Sequence, residues 1–403
     1  MTDQPPVRVV HVATGNAGRI ALAQLIEDPR FELVGLVTSS DQKVGRDAGD
    51  LAGLGLPTGI TATGDLAATV AATTPDCVVY CALSETRFFE AMEDIKACLA
   101  AGANVVATAP VPLMYPWGLL PDSMIEPFEE LCREHGVSLF VSGVDPGWAN
   151  DLLPFVVAST CQSIDQVRCY EIADYATYDG APVMFDVMGF GRPVGEDLPM
   201  LFQPGMLAGA WGIALRQLAK GFGLELDDIT EWFEQEPAPE DFDVAVGTIP
   251  KGGVAAVRFK IAGVVGGKEV LVIDHTTRLR PDLRPDWPQA AQEGGSYRVE
   301  ITGEPSYVVD VCPTSRRGDH NYAAIALGAG RVVNAIPGVV AAAPGIRTVL
   351  DLPVPTGRAC SRRRCDQPAS AAGSGVGITP SWIPAPTSSR TPQCSASRSP
   401  SVR

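Results

Sequence analysis

Histidine is scarce in this sequence, and so are the spacings that would build a metal centre. His11, His135, His275 and His320 are the only histidines in 403 residues; none forms an H-E-x-x-H pair, and the ten cysteines form no C-x-x-C. Zinc-type ligand sets need such spacings, so no protein-built metal site is expected. Positive charge is also short, with 31 Lys and Arg against 47 Asp and Glu and a net charge of −16. That balance argues against nucleic acid or an anionic membrane surface as partner. No apolar stretch reaches the roughly 18 residues of a membrane helix. The start, Met1-Thr2-Asp3-Gln4-Pro5-Pro6, lacks the basic-then-apolar secretory pattern. The chain therefore reads as cytoplasmic, with its cysteines as reduced thiols.

What is present is a core-forming chain, 46% hydrophobic, long enough for two or three domains at about 150 residues each. Residues 1–145 alternate strands with helices. Val7–Ala13 is an apolar run; a helical pattern at Ile20, Leu22, Ala23, Leu25 and Ile26 follows, then a strand at Phe31–Val37. A helix near Leu66–Thr73, strands at Cys77–Ala82 and Asn104–Ala107, and a helix from Ser84 to Ala101 continue the series. Ser123-x-x-Glu126 reads as a capping box for a helix to His135, before a last strand at Val137–Val141. Such alternation predicts an α/β, Rossmann-type parallel sheet with helices on both faces.

The first turn carries chemistry. Where strand one meets helix one, a dinucleotide fold needs small residues so that backbone amides reach the pyrophosphate. Here G-x-G-x-x-G appears as Ala13-Thr14-Gly15-Asn16-Ala17-Gly18. The second strand ends in hydroxyls, Ser39 and Ser40, with Lys43 and Arg46 close by. That set suits the extra phosphate of NADP, while Asp41 leaves NAD open. Ala82, Leu83 and Thr108, at the ends of later strands, complete the candidate cofactor residues.

Residues 146–318 have another texture. A strand pattern at Gln166–Ile172, a long apolar helix at Met206–Phe222 and strands at Phe242–Val246, Val254–Val264, Glu269–Leu279, Ser296–Ile301 and Tyr307–Val311 predict an α+β domain with a mostly antiparallel sheet. Gly266-Gly267 reads as a two-residue hairpin turn. The nine acids between Gly221 and Pro250, with no Lys or Arg, read as a solvated helix and loop. Residues 319–357 read as one or two closing helices. Residues 358–403, with seven arginines and one aspartate among Ser, Pro and Ala, read as a disordered basic tail whose composition fits translation in a shifted frame.

Together the motifs resemble the dihydrodipicolinate-reductase-like proteins of actinobacteria, a group similar to 2,4-diaminopentanoate dehydrogenase and related NAD(P)-dependent amine dehydrogenases. The resemblance is carried by Ala13–Arg19, Lys43–Gly49, Tyr115-Pro116-Trp117, Asp145-Pro146-Gly147, Met188–Gly191, Gly247–Gly252 and Asn334–Pro337, and covers residues 7 to about 357. It implies reversible hydride transfer between a nicotinamide cofactor and a C=N or C=O carbon of a small carbonyl, imine or amine, in a homodimer. Two departures stand out. True dihydrodipicolinate reductases carry paired histidines, absent here. The amine dehydrogenases carry a glutamate before Tyr-Pro-Trp, where this chain has Thr108–Met114.

Three residues are candidate proton carriers: Tyr115 beside the nicotinamide edge, His275 by its titration range, and Asp145 at the domain junction. Structural readings stand beside each: Tyr115 packed on Trp117, His275 a buried core ring, Asp145 a turn cap. Asp174, Tyr178, His320, Asn321 and Asn334 are weaker candidates, and His11 reads as structural. The alternative to an enzyme is a non-catalytic NADP-binding sensor or partner subunit.

Overall fold

The computed structural model describes residues 5–84, 86–195 and 198–359; the basic tail from residue 360 on lies outside them. The first half runs β1 (Val7–Val12), α1 (Asn16–Glu27), β2 (Phe31–Val37), α2 (Ala48–Leu51), β3 (Ala62–Thr63), α3 (Leu66–Thr73), β4 (Cys77–Tyr80), α4 (Phe88–Ala100), β5 (Asn104–Ala107), α5 (Asp122–His135) and β6 (Ser138–Val141). The second runs α6 (Leu152–Ala158), β7 (Ser163–Asp174), α7 (Met206–Phe222), β8 (Asp228–Pro237), β9 (Phe242–Val244), β10 (Gly247–Ile249), β11 (Val254–Val265), β12 (Lys268–Arg278), β13 (Gly295–Glu304), β14 (Tyr307–Val311), α8 (His320–Val340) and β15 (Gly345–Arg347).

A seven-stranded parallel sheet has the order β15-β6-β5-β4-β1-β2-β3. Its middle strand, β4 (Cys77-Val78-Val79-Tyr80), carries no charged residue, as burial on both faces requires. All four residues of β4 are buried, Cys77 among them as a small core residue. The expected strands are in place. β15 was not expected: its three residues return after α8 to pair with β6.

The second sheet has six strands in the order β14-β13-β7-β12-β11-β8. All its pairs are antiparallel except β7 with β12. The hairpin at Gly266-Gly267 joins β11 to β12, both glycines in the left-handed region (φ 58° and 76°), as a tight hairpin turn requires.

Three local expectations need correction. The acidic stretch 221–250 is not a solvated helix: four of its nine acids, Asp228, Glu231, Glu234 and Glu236, fall on β8, an edge strand whose first side chains alternate between exposed and half-buried, and the rest lie in the segments before and after it. Ser123 does not cap α5; the helix begins at Asp122 behind Pro121 with no side-chain cap. Ser84 likewise stands before the N-cap of α4, Arg87, whose amide bonds the Ser84 carbonyl at 3.3 Å.

The claim that no apolar stretch matches a membrane helix also fails by length and composition. Among the described residues one helix qualifies, α8, with 21 residues and a mean hydropathy of 1.5. Half of it is buried against the protein, and it packs on α1 and on strands β4–β6. Asp319 caps it by accepting the Tyr322 amide at 3.0 Å.

Candidate active site and cofactor cradle

The C-terminal edge of the parallel sheet is where a doubly wound fold binds its ligand, and two constructions meet there. The first is the bend after β1. Ala13 sits at φ 74°, a left-handed conformation that costs a residue with a Cβ about 1–2 kcal/mol. His11 holds it: the buried ring bonds the Ala13 carbonyl from Nε2 at 2.7 Å. Burial lowers the His11 pKa to about 4, against hydrogen bonds that raise it, so the ring is neutral and Nε2 carries the donated proton. Gly18 then has to be glycine, because a Cβ there would lie 2.3 Å from the Ala13 oxygen.

Gly15 caps α1 with no side chain and open space around it. The first amides of α1 thus face outward with no capping side chain, as a diphosphate site requires. The bend therefore fits a dinucleotide. Lys43 Nζ donates to the Thr14 carbonyl at 3.0 Å and its hydroxyl at 3.1 Å, at the mouth of the bend. Arg46 points to Asp50 at 3.4 Å instead. Ser39 is exposed and Ser40 half-buried. Leu83 is exposed and Ala82 and Thr108 half-buried at the ends of β4 and β5.

The second construction is a buried row across the six-stranded sheet. Strand register aligns Phe259, His275, Glu171 and Tyr297 on neighbouring strands, all facing inward. Asp145, on the turn after β6, meets this row from the other sheet. Side-chain ligand atoms of Asp145, Glu171 and His275 lie within 4.8 Å of one another, and all three side chains are buried. A cation could sit at that spacing, which the sequence motifs gave no reason to expect.

Each member is held by a neighbour. Asp145 Oδ1 accepts from Trp211 Nε1 at 2.6 Å and from Asn150 Nδ2. Asn150 Oδ1 in turn accepts the Gly147 amide at 2.9 Å. Tyr175 donates to Glu171 Oε1 at 2.7 Å. The His275 ring stacks on Phe259 with centroids 4.5 Å apart and bonds the Thr277 hydroxyl through Nε2 at 2.7 Å. Its Nδ1 has no hydrogen-bond partner and stands 3.7 Å from Asp145 Oδ2.

Burial raises the Glu171 pKa to about 7; His275 pulls it down and Asp145 pushes it up. Burial alone would lower the His275 pKa, but the carboxylates of Glu171 and Asp145 outweigh it and raise it. A carboxyl whose pKa is lifted to about 7, next to an imidazole whose pKa is raised by the same carboxylates, can exchange a proton with it.

One segment ties the two constructions together. Glu171 ends in the cluster, Tyr175 bonds it, Tyr178 stacks on Tyr175 at 5.2 Å, and the Asp179 carbonyl accepts from Asn16 Nδ2 in the bend at 2.6 Å. Beyond Glu171, a cavity of about 20 Å³ lined by Tyr297, His320 and Asn321 has room for about one water. It shares Ala173, Pro313 and His320 with an open groove of about 920 Å³.

Of the sequence candidates, the structure brings His275 and Asp145 together and places Tyr115 elsewhere. The Tyr115 ring packs edge-on against Trp117 at 5.1 Å in a separate groove with Arg216 and Lys220. Asp174 accepts the Ala176 amide, and its carbonyl accepts from His320 and Asn321. Asn334 bonds Gln24 and Arg30, away from the cluster. Glu171, Trp211 and Tyr175 were not foreseen. The usable signal was a glutamate on the face of β7 that otherwise carries Val167 and Cys169, both buried.

Comparison with known proteins agrees with this architecture. Residues 149–367 match the family model of the 2,4-diaminopentanoate dehydrogenase C-terminal domain. An amine dehydrogenase of Streptomyces virginiae is 37% identical over 343 residues, 85% of this chain and 94% of the relative. The 2,4-diaminopentanoate dehydrogenase of Acetoanaerobium sticklandii is 28% identical over 283 residues, 70% of this chain and 74% of the relative. The fold matches the structure of an amine dehydrogenase from Mycobacterium smegmatis with a TM-score of 0.71 at 23% identity, over 87% of this chain and 97% of that one. The chain belongs to the amine dehydrogenase and 2,4-diaminopentanoate dehydrogenase family of NAD(P)-dependent oxidoreductases.

Proposed function

We propose that this enzyme interconverts a small amine with its imine or carbonyl partner, with NADP as the hydride carrier and the Asp145–Glu171–His275 cluster as the proton-handling group. The observation that carries this reading is the cluster itself, two carboxylates and one imidazole buried where the edge of one sheet meets the inner face of the other. With both carboxylates ionised, at least one negative charge is left over whether or not His275 is protonated. A buried surplus of that kind is relieved by a cation, and the ammonium of an amine substrate supplies one.

Residues Ala13–Gly18 would hold the diphosphate, and Ala82, Leu83 and Thr108 would line the approach to the ring. When bound, the nicotinamide accepts or supplies a hydride at the substrate carbon. The chain's own residues handle the proton. An ammonium must lose one before its carbon can release hydride, because only the free amine lone pair can form the C=N bond. Glu171, with its pKa raised to about 7, takes that proton, and His275 Nδ1 relays it past Asp145. Trp211 and Asn150 fix the Asp145 carboxylate, so the acceptor stays in place as charge moves. In the reverse direction the same groups protonate the new amine, or the alkoxide if the substrate is a ketone.

The choice of NADP rests on the end of β2, where Ser39 and Ser40 stand with Lys43 and Arg46 and only the exposed Asp41 competes. Assembly as a homodimer belongs to the same reading. Its surface would be the outer face of the six-stranded sheet, where Arg168 and Arg258 pair with buried Asp274 beside the half-exposed Trp232.

The test is a screen of ketones with NADPH, with and without ammonia, followed by primary amines with NADP. Turnover dependent on ammonia supports amine chemistry. Tight NADPH binding with no turnover on any carbonyl or amine would instead favour the non-catalytic alternative.

A further inference from the structure

A second groove, of about 640 Å³, lies between α7, the start of β8 and the Tyr115–Gly118 loop. Its donors are in an unusual state. Arg216 makes no hydrogen bond and no ion pair with any described residue, and its Nη1 is buried. A guanidinium carries five N–H donors, and leaving one buried and unpaired is costly because its lost hydration is not replaced. Burial already lowers the Arg216 pKa, with no nearby acid to restore it. Lys220, one turn further along α7, also lines the groove with no ion-pair partner among the described residues, and the Tyr115 hydroxyl makes no hydrogen bond to any of them.

The acids of the groove are occupied. Asp227 accepts the Gly266 amide at 2.6 Å, and Asp228 accepts the Ile229 amide at 2.8 Å. Asp351, whose charge reaches Tyr115, accepts both the amide and the hydroxyl of Thr348 at 2.8 Å. The remaining walls are apolar: Tyr115, Trp117, Leu224 and Leu226.

We propose that this groove binds a small aromatic carboxylate, its anion on Arg216 and Lys220 and its ring against Tyr115 and Trp117. Arg216 lines the groove with a guanidinium, the group whose planar fork matches a carboxylate, and the aromatic pair offers a flat surface to a planar body. This site is separate from the catalytic cluster. The two share α7, which carries Trp211 to Asp145 on one face and Arg216 to the groove on another.

Benzoate is the probe, titrated calorimetrically into the full chain saturated with NADP. Saturable binding that weakens at least tenfold in Arg216→Met, and stays within twofold in His275→Asn, supports the site. Lys220→Met, at an exposed position, should weaken it several-fold and stands in if the Arg216 variant does not fold. Absence of benzoate binding, equal binding in the Arg216 and Lys220 variants, or loss of binding in His275→Asn would overturn the proposal. The outcome does not depend on the enzyme's substrate, so it can fail while the proposed reaction stands.

Discussion

The Nδ1 atom of His275 faces the Oδ2 atom of Asp145 across 3.7 Å, buried and without a hydrogen bond of its own. Everything else on both side chains is committed: Nε2 to Thr277, Oδ1 to Trp211 and Asn150. The unpaired Nδ1 therefore points at the Asp145 carboxylate over a gap too long for a hydrogen bond. A substrate nitrogen or a moving proton can bridge such a gap. In a finished core that space would have closed.

Replacing His275 with Asn keeps size and polarity but removes the titratable ring. Turnover in His275→Asn should fall about 10²–10⁴-fold, the usual contribution of a positioned acid–base group. NADPH affinity, measured by fluorescence titration, should stay within twofold. A matching loss of cofactor affinity would show that the ring serves the architecture and not the chemistry.

Glu171 sets the pH dependence. In the direction of amine oxidation it must be ionised to accept a proton, so kcat should rise with pH through about 7, the value to which burial lifts its pKa. Glu171→Gln retains an acceptor for the Tyr175 hydroxyl but cannot ionise. Its rate should be low and lack that limb, which a pH–rate profile from 5 to 9 would reveal.

The same shifts act on stability with opposite signs. His11 falls from 6.5 to about 4 in the fold, so between those values the unfolded chain holds the extra proton and stability rises with pH. Glu171 rises from 4.5 to about 7, so there the folded chain holds the extra proton and stability falls as pH rises. In the native protein the two trends offset one another between pH 4.5 and 6.5. Glu171→Gln removes the falling trend and, with it, the main charge that raises the His275 pKa. The variant should therefore gain roughly 1.4 kcal/mol per pH unit over that window, read as urea midpoints, while the native protein stays flatter.

The dinucleotide bend was legible because it is local: an apolar strand, small residues at three-residue spacing and an amphipathic helix lie within about 20 consecutive positions. The inward face of β12 was legible too, since alternation alone puts Leu271, Ile273, His275 and Thr277 together. What faces His275 was not. Glu171 becomes its neighbour only because β7 is inserted between β13 and β12, a pairing across more than 100 residues. The hairpin signals between successive strands carry no trace of it. Nor was the placement of Tyr115 legible: the loop that follows β5 packs its ring on Trp117 in a groove with Arg216 and Lys220, contacts that sequence spacing does not carry.

Gly18 tests whether the bend is held by contact or by habit of sequence. In Gly18→Ala the new Cβ would lie 2.3 Å from the Ala13 oxygen, so the turn must open. NADPH affinity should drop more than tenfold, with about 1–3 kcal/mol of stability lost to overpacking. Ala13→Gly keeps the left-handed conformation available and should leave affinity within threefold.

Lys43 is the position at which the proposed preference for NADP can be tested. It now bonds the Thr14 carbonyl and hydroxyl, which places an ammonium at the mouth of the bend. Arg46 lies on the same loop, held only by a half-exposed pair with Asp50, and such pairs contribute about 0–1 kcal/mol. If these cations serve a 2′-phosphate, Lys43→Ala should weaken NADPH binding about tenfold and NADH binding less than twofold. Equal losses for both would assign Lys43 to bracing Thr14 and return the selectivity to Asp41.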